Sequence, residues 1–196
     1  MNENIYAPPK ADLSQPLRVL GAEPFYVVSM RKFTVMYFTT LGLFGFYWFY
    51  KNWRCYQQQG GAGNIWPVMR AIFSFLYVHA LFDKVLAHAQ QKQRPLDWNT
   101  RAHAGLLGAL FLASWGINFV SDRLFGSPIA EILGLLLALV IYFCNASAVK
   151  QFNIACGDPA GEGNKAFTAA NYGWIAFGCL LWILFAVGML LPEEAA

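Results

Sequence analysis

The chain has 196 residues, of which 57% are apolar and only 13% are charged. A soluble domain usually carries about 25% charged residues, so this composition argues against a soluble protein and for lipid as the solvent of most of the chain. The net charge of +3 is too small to indicate a protein that binds nucleic acid.

Residues 1–24 are predicted to be a flexible, proline-containing tail on the cytoplasmic side. The run Tyr6-Ala7-Pro8-Pro9 should be extended, because proline restricts its own backbone and that of the residue before it. No long apolar stretch precedes Phe33, so we expect no cleavable signal peptide. Residues 25–192 are predicted to form a single transmembrane helical domain.

Five apolar blocks follow the tail, at residues 33–50, 65–87, 102–121, 132–149 and 172–191. A spanning helix needs about 20 residues, and helices are expected because an open strand would leave backbone groups unpaired in lipid. The sequence therefore predicts an all-α membrane protein, a bundle of about five transmembrane helices.

The distribution of Lys and Arg predicts the orientation of this bundle. With five spans and a cytoplasmic N-terminus, the outer side holds only Lys51, Arg54 and Arg123. The inner side holds Lys10, Arg18, Arg31, Lys32, Lys84, Lys92, Arg94, Arg101, Lys150 and Lys165. Such an excess is of the positive-inside kind, and the acidic end at Glu193 and Glu194 fits a periplasmic C-terminus.

The first two blocks leave a second topology open. Arg70 and Asp83 interrupt the second block, and each would cost about 2.5–3.5 kcal/mol near the bilayer centre. Gly42 and Gly45 weaken a helix through the first block. The alternative has three spans, with re-entrant or interfacial helices within residues 33–87 and a hairpin broken near these glycines.

The segment from Thr40 to Trp53 reads T-L-G-L-F-G-F-Y-W-F-Y-K-N-W. It resembles the signature T-L-G-x-Y/F-x-x-Y-W-F-Y-K-N-W of uncharacterised small bacterial inner-membrane proteins, the DUF4234-like group. Residues 65–73 extend the resemblance, which covers roughly residues 25–85. It implies a location in the bacterial inner membrane and brings no catalytic residues.

Aromatic and basic side chains gather around the end of the first block. Trp and Tyr favour the lipid headgroup region, where Lys and Arg also extend their charged tips. We interpret the cluster as an interfacial belt, or as a contact surface for lipid or a partner protein. Its members are Trp48, Tyr50, Lys51, Trp53, Arg54 and Trp66.

The second block carries candidate residues for proton or ion handling. His79 and Asp83 lie four residues apart and share a helix face, which suits a carboxylate that orients an imidazole. Arg70, Tyr77 and Lys84 recur every seven residues on a second face. Structural ion pairing, or charged tips that extend to the membrane interface, is the alternative. The spacing of His and Cys predicts neither a metal site nor a disulfide.

Small residues recur along the third block at Gly105, Ala109, Ala113 and Gly116. A small-x-x-x-small pattern lets a second helix approach closely in lipid. We expect an intramolecular helix-packing seam here, with a homodimer face as the alternative.

No nucleophile motif, phosphate-binding loop or metalloprotease helix is present, so no catalytic residue and no cofactor is predicted. The leading hypothesis is a non-catalytic structural, adaptor or regulatory subunit that binds membrane lipids, other membrane proteins or itself. One alternative is a small transporter or channel subunit with a polar pathway at Arg70, His79, Asp83 and Lys84. Another is an intramembrane lipid-modifying enzyme that uses His79 and Asp83.

Overall fold

The computed structural model describes residues 23–60, 63, 65–124 and 127–190, and its description omits the side chains of residues 118–131, 189 and 190. Almost all of the predicted tail, residues 1–22, lies outside it. The described residues form seven α-helices, a short 3-10 helix at Glu162–Asn164 and no strand, which confirms the all-α class. The helices are α1 (Met30–Thr39), α2 (Leu43–Gln58), α3 (Pro67–Ile72), α4 (Ser74–Gln91), α5 (Thr100–Leu124), α6 (Ser127–Ala155) and α7 (Ala169–Leu190).

The first apolar block is not one continuous helix, because the chain reverses direction between Thr39 and Leu43. Leu41 and Gly42 both have positive φ angles, of 52° and 84°, a conformation that only glycine adopts without strain. The Thr40 hydroxyl donates to the carbonyl of Met36 (2.6 Å) and accepts from the Phe44 amide (3.0 Å). One side chain therefore provides a hydrogen-bond partner for a backbone carbonyl at the end of α1 and for a backbone amide at the start of α2.

Helices α1 and α2 run antiparallel and form a hairpin. The Tyr37 ring lies against Gly45, with 3.2 Å between the ring and the position of a β-carbon at this glycine. Further from the turn, the rings of Phe33 and Trp48 are 6.4 Å apart. Residues further from the turn in α1 thus contact residues further from the turn in α2. The start of α1 and the end of α2 therefore lie at the same end of the molecule.

The second apolar block is also divided, at Phe73. The short helix α3 begins with Pro67 and lies beside α2, where the Gln57 side chain donates to the carbonyl of Ile65 (3.0 Å). The longer helix α4 then returns in the opposite direction. Its packed face consists of Val78, Leu81, Phe82, Val85 and Ala89, the spacing of an amphipathic helix.

The Phe25 ring marks the end of the molecule where these helices meet. It contacts the rings of Tyr56 near the end of α2, His88 near the end of α4 and Phe152 near the end of α6. The thiol of Cys156, just after α6, lies 4.0 Å from the Phe25 carbonyl. We call this end, with residues 23–29 and the connection 156–168, the loop end.

The connection 156–168 is joined tightly to the extended segment before α1. The Asn153 side chain accepts from the amide of Val28 (3.2 Å) and donates to its carbonyl (2.9 Å). Gly161 has a φ of +70°, and a β-carbon there would lie 2.5 Å from the backbone of Val28 and Ser29. The loop end is therefore assembled from residues more than a hundred positions apart.

Two of the described helices contain stretches that are long and apolar enough to cross a membrane. They are Ile132–Ala155 in α6 and Ala169–Gly188 in α7. Only 6% of the apolar stretch in α7 is buried inside the described part of the protein, so the described residues leave most of its apolar surface uncovered. Near its middle, Gly178 approaches the backbone of Thr39 so closely that a β-carbon would overlap it.

The small-residue stripe of α5 does not form the intramolecular seam expected from the sequence. Gly105 and Gly116 have no heavy atom within 4 Å of a β-carbon position, and Ala109 and Ala113 are exposed. The helix packs instead through the adjacent face that includes Gly108, where a β-carbon would lie 3.2 Å from the Phe75 carbonyl. A homodimer face on the stripe stays a prediction.

Candidate functional site

A cavity of about 630 Å³ opens between α1, α2, α3 and the start of α7. This volume is within the range of small-molecule binding sites. Its polar lining includes Tyr26, Lys32, Tyr50, Lys51, Asn164 and Asn171. Its apolar lining includes Met36, Leu43, Phe44, Phe46, Val68 and Ile72. We call it the amphiphilic cavity, because its polar lining suits a charged group and its apolar lining suits a hydrocarbon chain.

The polar residues of the cavity form one connected group at the loop end. The Lys32 ammonium donates to the Asn164 side chain (2.7 Å), which in turn donates to the carbonyl of Val27 (2.9 Å), the residue after Tyr26. The Lys51 ammonium lies 5.5 Å from the centre of the Tyr26 ring, a cation–π distance. Both lysines therefore sit at the same end of the cavity.

Lys32 is a buried cation, with only 2% of its surface exposed. Its ammonium donates to the Asn164 side chain and to the carbonyl of Ala166 (2.8 Å), and both acceptors are neutral. None of the ion pairs between described residues includes it. Burial lowers the pKa of Lys32, because a charge loses hydration there that an opposite charge would otherwise replace.

The aromatic and basic cluster predicted from the sequence is divided by the fold. Trp48 and Trp53 are fully buried, because they lie on the face of α2 that packs against the protein interior. They are core residues, and interpreting them as direct contacts for lipid or a partner is wrong. Tyr50 and Lys51 line the amphiphilic cavity.

The other two members of the cluster lie on the surface. Arg54 is exposed and donates to the Tyr50 hydroxyl (3.1 Å). Trp66 is 69% exposed, immediately before α3. Contact of Arg54 and Trp66 with lipid or a partner protein stays a prediction.

The second polar face of the second block packs on aromatic rings. The Arg70 guanidinium lies 4.3 Å from the ring centre of Trp53 and 5.0 Å from that of Tyr77. The Lys84 ammonium lies 4.9 Å from the ring centre of Tyr56. Cation–π contacts of this kind stabilise a partly buried cation, so Arg70 and Lys84 both attach the second block to α2.

His79 and Asp83 are both exposed, and no hydrogen bond or ion pair joins them in the described part of the chain. The Asp83 carboxylate instead accepts from the Thr100 hydroxyl at 3.5 Å. A second cavity, of about 690 Å³, is lined by Asp83, Lys84 and His88 and does not reach His79 or Arg70. The four residues predicted for proton or ion handling therefore do not line one pathway.

Sequence reasoning missed an ion cluster at the loop end. The Glu23 carboxylate contacts His88 (2.7 Å) and Arg94 (3.2 Å), and Arg94 also donates to the carbonyl of Ala155 (2.7 Å). The sequence predicts that Glu23 belongs to the flexible tail, because no local pattern joins it to residues about 70 positions away. A still larger separation, of 132 positions, hides the link between Lys32 and Asn164. Among the described residues, no group of three or more His, Cys, Asp or Glu side chains could hold a metal ion.

No family model matches the chain, and it has no match among curated proteins or solved structures. The resemblance carried by residues 40–53 therefore stays a prediction. The amphiphilic cavity is the feature on which a functional proposal can rest.

Proposed function

We propose that this protein is a non-catalytic, multi-pass protein of the bacterial inner membrane that binds a membrane lipid in the amphiphilic cavity. The observation that carries the proposal is the composition of the cavity wall. Two lysines and several polar side chains lie at its loop end, and the remaining lining is largely apolar. Such a site matches a molecule with a polar head and a hydrocarbon tail.

In the proposed membrane arrangement, α5, α6 and α7 span the bilayer, while the α1–α2 and α3–α4 hairpins enter from the loop end and return to it. Helix α1 has 10 residues and a length of about 15 Å, roughly half of the hydrocarbon thickness. This is the three-span alternative considered from the sequence. The contacts of Phe25 with Tyr56, near the end of α2, and with His88, near the end of α4, support this arrangement, because they indicate that both hairpins return to the loop end.

The positions of the basic residues support a cytoplasmic loop end. In the three-span arrangement Lys51, Arg54 and Lys84 join Lys150 and Lys165 on one side of the membrane. Positive-inside statistics favour the cytoplasm for such a side. The polar end of the amphiphilic cavity then lies at the level of the cytoplasmic headgroups, and its apolar lining extends into the hydrocarbon region.

A lipid-binding role fits a structural, adaptor or regulatory subunit better than it fits a transporter or an enzyme. A transport pathway would need Arg70, His79, Asp83 and Lys84 to line a common cavity, whereas Arg70 and Lys84 contact aromatic rings. An enzyme using His79 and Asp83 would need these side chains in contact. Partner membrane proteins could bind the exposed apolar surface of α7, near residues such as Phe177 and Ile183.

The lipid-binding proposal can be tested by narrowing the amphiphilic cavity. Ala170 lines it, whereas the neighbouring Ala169 is also exposed and does not line it. We expect Ala170→Phe to reduce the lipid that remains bound in native mass spectrometry of the purified protein, because the ring would occupy the space of the ligand. Ala169→Phe is the matched control and should retain the lipid.

Equal lipid retention by both variants at equal thermal stability would contradict binding in this cavity. Saturable ion flux through liposomes containing the purified protein would instead support the transporter alternative.

The membrane arrangement can be tested by labelling single cysteines with an impermeant thiol reagent in intact cells. Burial raises the pKa of the Cys55 thiol, so a new cysteine at the exposed Gln58 in a cysteine-free chain is a better probe. The three-span arrangement predicts that Gln58→Cys reacts like Lys165→Cys and unlike Glu194→Cys. Five spans predict that Gln58→Cys and Glu194→Cys react alike.

A further inference from the structure

We infer that the amphiphilic cavity selects anionic over zwitterionic phospholipids, and that Lys32 makes this selection because its charge binds the headgroup phosphate and repels a headgroup ammonium. The inference rests on the proposed function, since it names the class of lipid that the cavity would bind. It begins from the buried position of Lys32, a cation whose two hydrogen-bond acceptors are both neutral.

The Lys32 ammonium has three N–H groups, and its two hydrogen bonds go to the Asn164 side chain and the Ala166 carbonyl. Neither acceptor carries a charge, and the side chain lines the cavity. A buried cation is stabilised when an anion accepts a hydrogen bond from it, and such charge-assisted bonds are stronger than neutral ones. A phosphate oxygen in the cavity would be such an acceptor.

The two carboxylates of the connection 156–168, which also carries Asn164, are already bound within that connection. The Asp158 carboxylate accepts from the backbone amides of Glu162 (2.9 Å) and Gly163 (2.8 Å). The Glu162 side chain is paired with Lys165. No Asp or Glu is among the described residues that line the cavity, so Lys32 and Lys51 give it a positive charge.

This charge also explains why a zwitterionic lipid should bind less well. Phosphatidylethanolamine carries an ammonium next to its phosphate, and two nearby lysines would repel it. Phosphatidylglycerol has the same phosphodiester without the ammonium. A soluble anion such as inorganic phosphate could contact Lys32 but would leave apolar residues such as Met36 and Phe44 exposed to water.

The experiment measures phosphatidylglycerol and phosphatidylethanolamine binding to the full chain by native mass spectrometry, with inorganic phosphate as competitor. Lys32→Met keeps the size of the side chain and removes its charge. We expect it to weaken phosphatidylglycerol binding by about 10- to 100-fold, the effect of one lost charge-assisted hydrogen bond. Phosphatidylethanolamine binding should change little, because the lost contact with its phosphate is offset by the lost repulsion of its ammonium. Lys165→Gln, which removes an exposed lysine outside the cavity, should leave both affinities unchanged.

The outcomes separate this inference from the lipid-binding proposal. If the native chain binds neither lipid, the proposed function itself is wrong. If it binds both lipids equally and Ala170→Phe weakens both, the proposed function stands and the anionic preference is refuted. A preference that survives Lys32→Met refutes the role of Lys32, and full displacement by inorganic phosphate refutes a lipid as the ligand.

Should Lys32→Met fail to fold, Lys51→Gln tests the same positive charge from a less buried position. We expect it to reduce the preference for phosphatidylglycerol without abolishing phosphatidylethanolamine binding. An unchanged preference in Lys51→Gln would contradict selection by the charge of this cavity.

Discussion

Replacing Gly178 with alanine should weaken the contact between α7 and the end of α1. A β-carbon at Gly178 would overlap the Thr39 carbonyl oxygen and lie 2.7 Å from its carbonyl carbon. Ordinary contact between carbon and oxygen needs about 3.3 Å, so α7 would have to move away by about 1 Å. The movement would also stretch the hydrogen bond from the Trp182 indole to the Phe38 carbonyl, now 2.8 Å.

The expected loss of stability follows from three terms. Overpacking at such a contact costs about 1–3 kcal/mol, and the weakened hydrogen bond adds about 1 kcal/mol. The higher helix propensity of alanine offsets about 1 kcal/mol of this loss of stability. We expect a net loss of about 1–3 kcal/mol, which lowers Tm by about 2–12 °C in a chain of this size.

Thermal unfolding of the purified protein in detergent, followed by tryptophan fluorescence, measures this change. Gly173→Ala is the matched control, because Gly173 lies in the same helix and its β-carbon position has open space around it. It should leave Tm unchanged or raise it slightly. If Gly178→Ala proved as stable as Gly173→Ala, α7 would not lie against Thr39, and the amphiphilic cavity would lose one wall.

Three further predictions concern the loop end. Gly161→Ala should lower Tm by several degrees, because its φ is +70° and a β-carbon would meet the Val28 backbone; an unaltered Tm would mean that the two segments are not in contact. Asn153→Ala should lower the free energy of unfolding, measured by chemical denaturation, by about 2–4 kcal/mol, because the amide and the carbonyl of Val28 both lose their hydrogen-bond partner. A loss below about 0.5 kcal/mol would contradict the two buried hydrogen bonds. Hydrogen bonds from the amide of Gly163 and its neighbours lower the pKa of Asp158, so its stabilising effect is complete above about pH 4 and is lost as the pH falls through the lowered pKa. Unfolding curves at graded acid pH should show this loss in the native chain and not in Asp158→Asn, and identical pH profiles would refute it.

Much of the fold could be predicted from local features of the sequence. Long apolar blocks predicted helices, and the later blocks correspond to α5, α6 and α7. The glycines near residue 42 suggested a broken hairpin as one of two alternatives, and the chain does reverse at Gly42. The local signal was sufficient there because glycine adopts a positive φ without the steric cost that other residues have.

The candidate site was predicted less well, because burial depends on which helix faces which. Trp48 and Lys51 belong to one aromatic cluster in the sequence, yet Trp48 is in the core and Lys51 lines the cavity. The small-residue stripe of α5 is exposed because Gly108, on the adjacent face, makes the contact with α4. Helical spacing identifies a face but does not say what covers it.

The sequence alone determined that this chain is helical, that its apolar segments are long and that its basic residues are unevenly distributed. These properties follow from composition and from residues close together in the chain. Only the tertiary structure placed Lys32 beside Asn164, 132 positions later, and with it the polar end of the amphiphilic cavity. A buried cation is created when distant segments fold around it, so its chemistry becomes visible only after the helices have been packed.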